Sequence, residues 1–125
     1  MGIETLYVAI GGCLGAFCRA GIINLFDLCY SNKFPLSVFI INTLGCFFVG
    51  FFAECPNWPH YTDNLRTSIT TGFLGGFTTW STMATQTLKL FLDGNYWMPV
   101  VNILANHISG CIFCYIGQKI AQACK

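Results

Sequence analysis

Four long apolar stretches divide the chain, and charged residues mark their edges. Only Arg19 interrupts the interval from Glu4 to Asp27, and no charge lies between Lys33 and Glu54, Arg66 and Lys89, or Asp93 and Lys119. Each interval is close to the roughly 20 residues that cross the hydrocarbon core of a bilayer. Backbone N–H and C=O groups in lipid must pair within their own segment, which selects helices for such runs. The pattern predicts an all-α membrane protein with four transmembrane helices, about 4–26, 35–53, 65–91 and 96–119, forming a single domain over 1–125. The first stretch lacks a basic leading region and a small-residue cleavage site, so it reads as a retained span and not as a signal peptide. Glu54–Asp63, "ECPNWPHYTD", is the only polar, proline-bearing connection of any length.

Composition agrees with that pattern. The 125 residues are 54% hydrophobic and 9% charged, against about a quarter charged in soluble domains, and the mean hydropathy is +0.60. A lipid bilayer is the expected surrounding, and no nucleic-acid partner is expected. With four spans, Arg66, Lys119 and Lys125 fall on one side, and Lys33 and Lys89 on the other, joined by Arg19 if its side chain reaches that end. The positive-inside rule gives almost no instruction for so even a split. Insertion in both orientations and antiparallel pairing are the expectation. Four short helices are also too thin a bundle to enclose a pathway alone, so an oligomer is expected.

Several residue types carry little weight. Cys13, Cys18, Cys46, Cys111 and Cys114 lie inside predicted spans, where cysteine serves as a small apolar packing residue. Cys111-x-x-Cys114 lacks the second pair that a zinc site needs. No Ser/His/Asp or Cys/His set is evident, so an enzyme is not expected. His107, inside the fourth span, reads either as a proton relay or as a bond to a neighbouring helix, and His60 falls in a loop. Trp58, Tyr61, Tyr96 and Trp97 sit near predicted membrane ends, as an interfacial belt would. Phe47, Phe48, Phe51 and Phe52 are assigned to lipid or a neighbouring helix.

Four features are costly in a membrane and need a reason. Arg19 ends the run "GGCLGAFCR" and either snorkels or places a positive charge at a vestibule. Before it, Gly11, Gly12 and Gly15 offer a face for close helix approach. Asn42, inside the second span, either bonds another helix or turns its NH2 group towards a passing anion. Asn102, Asn106 and Ser109 share a face of the fourth span, which fits both a hydrated track and interhelical bonding. The run "GFLGGFTTWST" over 72–82 lies within twenty-two charge-free residues. Its glycines Gly72, Gly75 and Gly76 allow a break in the third helix, and Thr78, Thr79, Ser81 and Thr82 can satisfy the freed backbone. Carbonyls at such a break bind cations, and half-helix N-termini favour anions.

"GFLGGFTTWST" resembles the GFLGG-x-TTFSTF signature of the Fluc/CrcB fluoride channels. The resemblance extends over nearly the whole chain, including "GGCLGAFCR" and "PLSVFIINTLGCFFVG". It implies an antiparallel, dual-topology dimer in the plasma membrane, the inner membrane of a bacterium, exporting fluoride from the cytoplasm to relieve its toxicity. It further implies a structural sodium ion at the dimer centre, held by the carbonyls of Gly75 and Thr78. By motif position Asn42 matches the pore asparagine, Arg19 the vestibule arginine, and Ser81 and Thr82 pore hydroxyls, and Asn106 is placed on the pore with them. The phenylalanines that normally follow the break are here Trp80 and Met83, and the family's glutamate is Gln86. These departures leave open a partner-dependent or non-conducting subunit paired with a homologous chain. A small multidrug-type transporter is the other four-span alternative. It needs a carboxylate in the middle of the first span, where this chain has none.

Overall fold

A computed structural model describes residues 2–29, 34–54 and 63–124. Lys33, Trp58, His60, Tyr61 and Lys125 lie outside the described residues, as does most of the 54–63 connection. Every regular element among the described residues is helical: α1 (Ile3–Cys29), α2 (Leu36–Glu54), α3 (Asp63–Thr67), a π-helical segment (Ser68–Phe73), α4 (Leu74–Phe77), α5 (Trp80–Leu92) and α6 (Met98–Ala123). Helices α1, α2 and α6 are each long and apolar enough to cross a bilayer.

The third apolar interval is divided. Helical backbone ends at Phe77, Thr78 (φ −80°, ψ 157°) and Thr79 (φ −150°, ψ 122°) are extended, and α5 starts at Trp80. The interruption therefore falls on the threonines, and the glycines lie before it inside helical backbone. Gly72 belongs to the π segment, and Gly75 and Gly76 to α4. Two of the three serve packing. A Cβ on Gly72 would sit 2.7 Å from the Val8 carbonyl oxygen, and one on Gly76 2.6 Å from that of Gly12. Gly11 and Gly15 of α1 present the reciprocal surface, closed against the backbone of Ser68 and Phe73. Small residues let helix backbones approach closely where lipid offers no hydrophobic driving force.

A second glycine seam joins α2 to α6. Gly50 lies against the Cys114 carbonyl, and Gly117 against the Phe47 carbonyl. Gly45 of α2 receives the Thr78 methyl, which places the interruption over the middle of α2. The chain thus packs as two groups: α1 with the π segment and α4, and α2 with α6, which also carries α5. Val38 and Ile41 on α2 and Asn102 on α6 are the most deeply buried large side chains.

Gly15→Val tests the first seam. Its Cβ would collide with the Phe73 carbonyl, so stability should fall by at least the roughly 1–3 kcal/mol typical of overpacking. Gly21→Val, on the same helix with nothing within 4 Å, should change little. Thermal unfolding in detergent compares the two; equal melting temperatures would contradict the seam.

Candidate functional site

Thr79 is extended between two helices, so its N–H has no helical partner, while its carbonyl, at the N-cap of α5, accepts the first intrahelical bond. In hydrocarbon an unpaired backbone group costs several kcal/mol. Asn42, reaching across from α2, bonds both groups. Its Oδ1 accepts from the Thr79 N–H at 2.9 Å, and its Nδ2 donates to the Thr79 carbonyl at 3.2 Å. The second Nδ2 hydrogen goes to Oδ1 of Asn106 on α6 at 3.1 Å. One amide thus ties the interruption to two helices.

From Asn106 the bonding continues along α6 and back to α5. Asn106 Nδ2 donates to the Asn102 carbonyl at 2.8 Å and to Asn102 Oδ1 at 3.0 Å. Asn102 Nδ2 donates to Thr87 Oγ1 at 2.8 Å, and that hydroxyl donates to the Met83 carbonyl at 2.8 Å. Ser109 pairs with Thr43 of α2 at 3.1 Å. The polar stripe on α6 therefore makes interhelical bonds within this chain, one of the two readings its spacing allowed.

The interruption also releases carbonyls, those of Gly75 and Thr78 among them. In a continuous helix the Thr79 N–H would bond the Gly75 carbonyl, and the Thr82 N–H that of Thr78. Here Thr79 gives its N–H to Asn42, and Thr82 gives its N–H to the Thr79 hydroxyl at 3.3 Å. Thr79 acts as the N-cap of α5, a position that favours threonine because its oxygen meets an orphan N–H of the first turn. The same two bonds that seat α5 thus strip Gly75 and Thr78 of their helical donors. Gly75 is exposed on the chain surface, with open space where a Cβ would be.

Beside the interruption lies an open cavity of about 750 Å³ between α2, α5 and α6. It brings together Asn42, Thr78, Trp80, Met83 and Asn106. Trp80 is 65% exposed on its wall, whereas Met83 is buried at 3%. The other residues singled out from the sequence lie elsewhere. Ser81 is exposed, and Thr82 is tied to Thr79, whose hydroxyl donates to it at 3.2 Å. Gln86 faces a second cavity of about 470 Å³ with Asp27, Ser37, Lys89 and Asp93, and its Oε1 is buried without a hydrogen-bond partner among the described residues. Arg19, half-buried on α1, lines neither cavity.

Two residues carry more here than their sequence reading gave them. Thr79, expected only to satisfy freed backbone, caps α5 and receives the Asn42 clamp. His107, read as a proton relay or an interhelical bond, stacks on Trp80, ring centroids 5.2 Å apart and planes 29° from parallel. Nothing in the spacing of α5 and α6 residues announces that pair.

The family profile described as CrcB-like protein, Camphor Resistance (CrcB), matches residues 6–118. A Dehalococcoides mccartyi protein named Fluoride-specific ion channel FluC is 39% identical over 126 residues, covering 98% of this chain and 95% of its own. Proteins of the same name from Campylobacter fetus and Legionella pneumophila are each 36% identical, over 117 and 118 residues. They cover 93% and 94% of this chain, and 91% and 88% of their own lengths. These relatives and the three apolar spans mark a multi-pass membrane protein. The chain belongs to the CrcB family.

Proposed function

We propose that this chain is a fluoride channel, passing fluoride out of the cytoplasm across the bacterial inner membrane and so relieving its toxicity. The chain works as an antiparallel, dual-topology dimer, with the divided third segment completing a four-span protomer. Support comes from family membership, from relatives named for fluoride conduction and from the near-even split of basic residues. The observation that carries the reading is the pair of carbonyls, Gly75 and Thr78, released beside the Asn42 clamp. Neutral backbone oxygens from unwound helix suit a sodium ion, and two copies related by a two-fold axis offer four of them. The residues present fit such an ion. Bound there, it would supply a structural positive charge, with the Gly75 and Thr78 carbonyls holding it.

The chain's own residues then provide the path. Fluoride sheds strong hydration on entering a narrow pore and needs replacement donors. Asn42, Trp80, Ser81, Thr82, Met83, Gln86 and Asn106 are proposed along it, and Arg19 at its vestibule. The open cavity holding Asn42, Trp80, Met83 and Asn106 favours those four as its central stretch. The replacement of two phenylalanines by Trp80 and Met83 supports a second reading, a subunit that conducts only beside a homologous partner. Fluoride efflux from liposomes that hold this chain alone separates the two. Flux above that of protein-free vesicles is expected; its absence, with flux restored by a co-reconstituted homologue, would favour the partner-dependent subunit.

A further inference from the structure

His107 on α6 lines the central cavity and is exposed within the chain. Stacking on Trp80 is its one interaction among the described residues, where no hydrogen bond reaches either imidazole nitrogen or the Trp80 indole N–H. A polar ring at membrane depth is costly unless a neighbouring group, water or an ion answers it. The amides beside it are already committed. Both Nδ2 hydrogens of Asn42 go to Thr79 and Asn106, and those of Asn106 go to Asn102. Among the described residues, the side-chain nitrogen and oxygen donors left on the cavity wall are the Trp80 indole, the His107 imidazole and, further along α6, the Tyr115 hydroxyl and the Gln118 amide.

We propose that His107 is a conduction residue: its ring holds Trp80 by stacking, offers an N–H donor to the anion and, when protonated, draws the anion into the cavity. The inference rests on the fluoride-channel reading and adds to it a dependence on pH. Histidine is the side chain that changes charge between about pH 5 and 8. As imidazolium it has two N–H donors in place of one and a charge that strengthens its contact with the indole face.

The surrounding groups leave that charge unanswered. Facing His107 from α2 is the Cys46 thiol, and from α6 itself the thiols of Cys111 and Cys114 and the Tyr115 phenol, while Trp80 and Met83 of α5 carry no titrating group. Among the described residues no carboxylate, lysine or arginine lines the cavity, and Lys119 lies over the Tyr115 ring at 5.3 Å outside it. A proton on the imidazole would therefore place a positive charge on a wall that carries no other full charge among the described residues, and flux is expected to rise as pH falls.

The test is fluoride efflux from liposomes at steps between about pH 5 and 8, with protein-free vesicles subtracted at each step. The wild-type chain should conduct several-fold faster at the acid end. His107→Phe, which keeps a stacked ring without N–H or charge, should conduct more slowly there and show a flat profile. His107→Ala should be slower still and equally flat. A finite wild-type flux that ignores pH would overturn this inference and leave the channel reading standing, as would a His107→Phe profile as steep as the wild type. Absence of flux at every pH, alone or beside a homologous subunit, would remove the channel reading and this inference with it.

Discussion

Asn42→Ala should abolish fluoride efflux and loosen the fold at the same time. The substitution removes three hydrogen bonds at once, two to the Thr79 backbone and one to Asn106. It leaves the Thr79 N–H without a partner and the Thr79 carbonyl with only its helical one. Stranding a buried polar group costs about 1–3 kcal/mol, and a loss of that order is expected for the Thr79 N–H. The Thr79 N–H would also be free to return to the Gly75 carbonyl, closing the interruption into continuous helix. Asn42→Asp tests the donor side. Its carboxylate still accepts from the Thr79 N–H but sets a negative oxygen against two acceptors, the Thr79 carbonyl and Asn106 Oδ1, and repels an anion. That variant should lose both flux and stability. Efflux from liposomes and melting in detergent measure both, and an Asn42→Ala chain with normal flux would remove the clamp from the mechanism.

Gly75→Val should eliminate flux while leaving the single chain folded. Glycines 72 and 76 are pressed against α1, but a Cβ on Gly75 meets nothing within 4 Å of its own chain. A valine there costs this protomer little. In the proposed pair the same surface approaches a second copy, and a branched side chain would hold the two interruptions apart. Expression and helix content should match the wild type, with dimer and efflux both lost. Chemical cross-linking and light scattering report the assembly. Normal efflux from a normal dimer would place Gly75 against lipid and end the argument for carbonyls meeting at a subunit contact.

Three spans were legible because their edges are marked by charge. The intervals 4–26, 35–53 and 96–119 correspond to α1 (Ile3–Cys29), α2 (Leu36–Glu54) and α6 (Met98–Ala123) to within a few residues. The divided segment was harder. Glycine reads as a helix breaker from sequence, yet Gly72 and Gly76 here are contact surfaces, and the extended residues are Thr78 and Thr79. What straightens those threonines is Asn42, thirty-seven positions away from Thr79, a distance over which local propensity carries no information. Asn42 itself stood out, since an amide in an apolar span is expensive wherever it points. Which group it satisfied depended on how α2 rotates against the interruption. For the same reason Trp80 was singled out as a ring and His107 as a lone imidazole. Their stacking needs the mutual rotation of α5 and α6, which follows from the Asn102–Thr87 bond and not from either helix alone.

The two glycine seams have a consequence for how the protein is made. Helices leave the ribosome in chain order, but α1 does not pack chiefly on α2. Its main partners, the π segment and α4, begin about forty residues after α1 ends. Helix α2 waits longer still, for α6, the last described element. Neither seam can close while the early helices are being inserted, so α1 and α2 must enter the bilayer as independent spans and find their partners by lateral diffusion afterwards. Membrane proteins that insert first and associate later depend on each helix being stable alone in lipid. The high apolar content of α1 and α2, which meets that demand, is thus a requirement of biogenesis as much as of the finished fold. A truncated chain released before α6 would leave Gly50 and its neighbours on α2 facing lipid, an exposed seam for quality-control proteases to read.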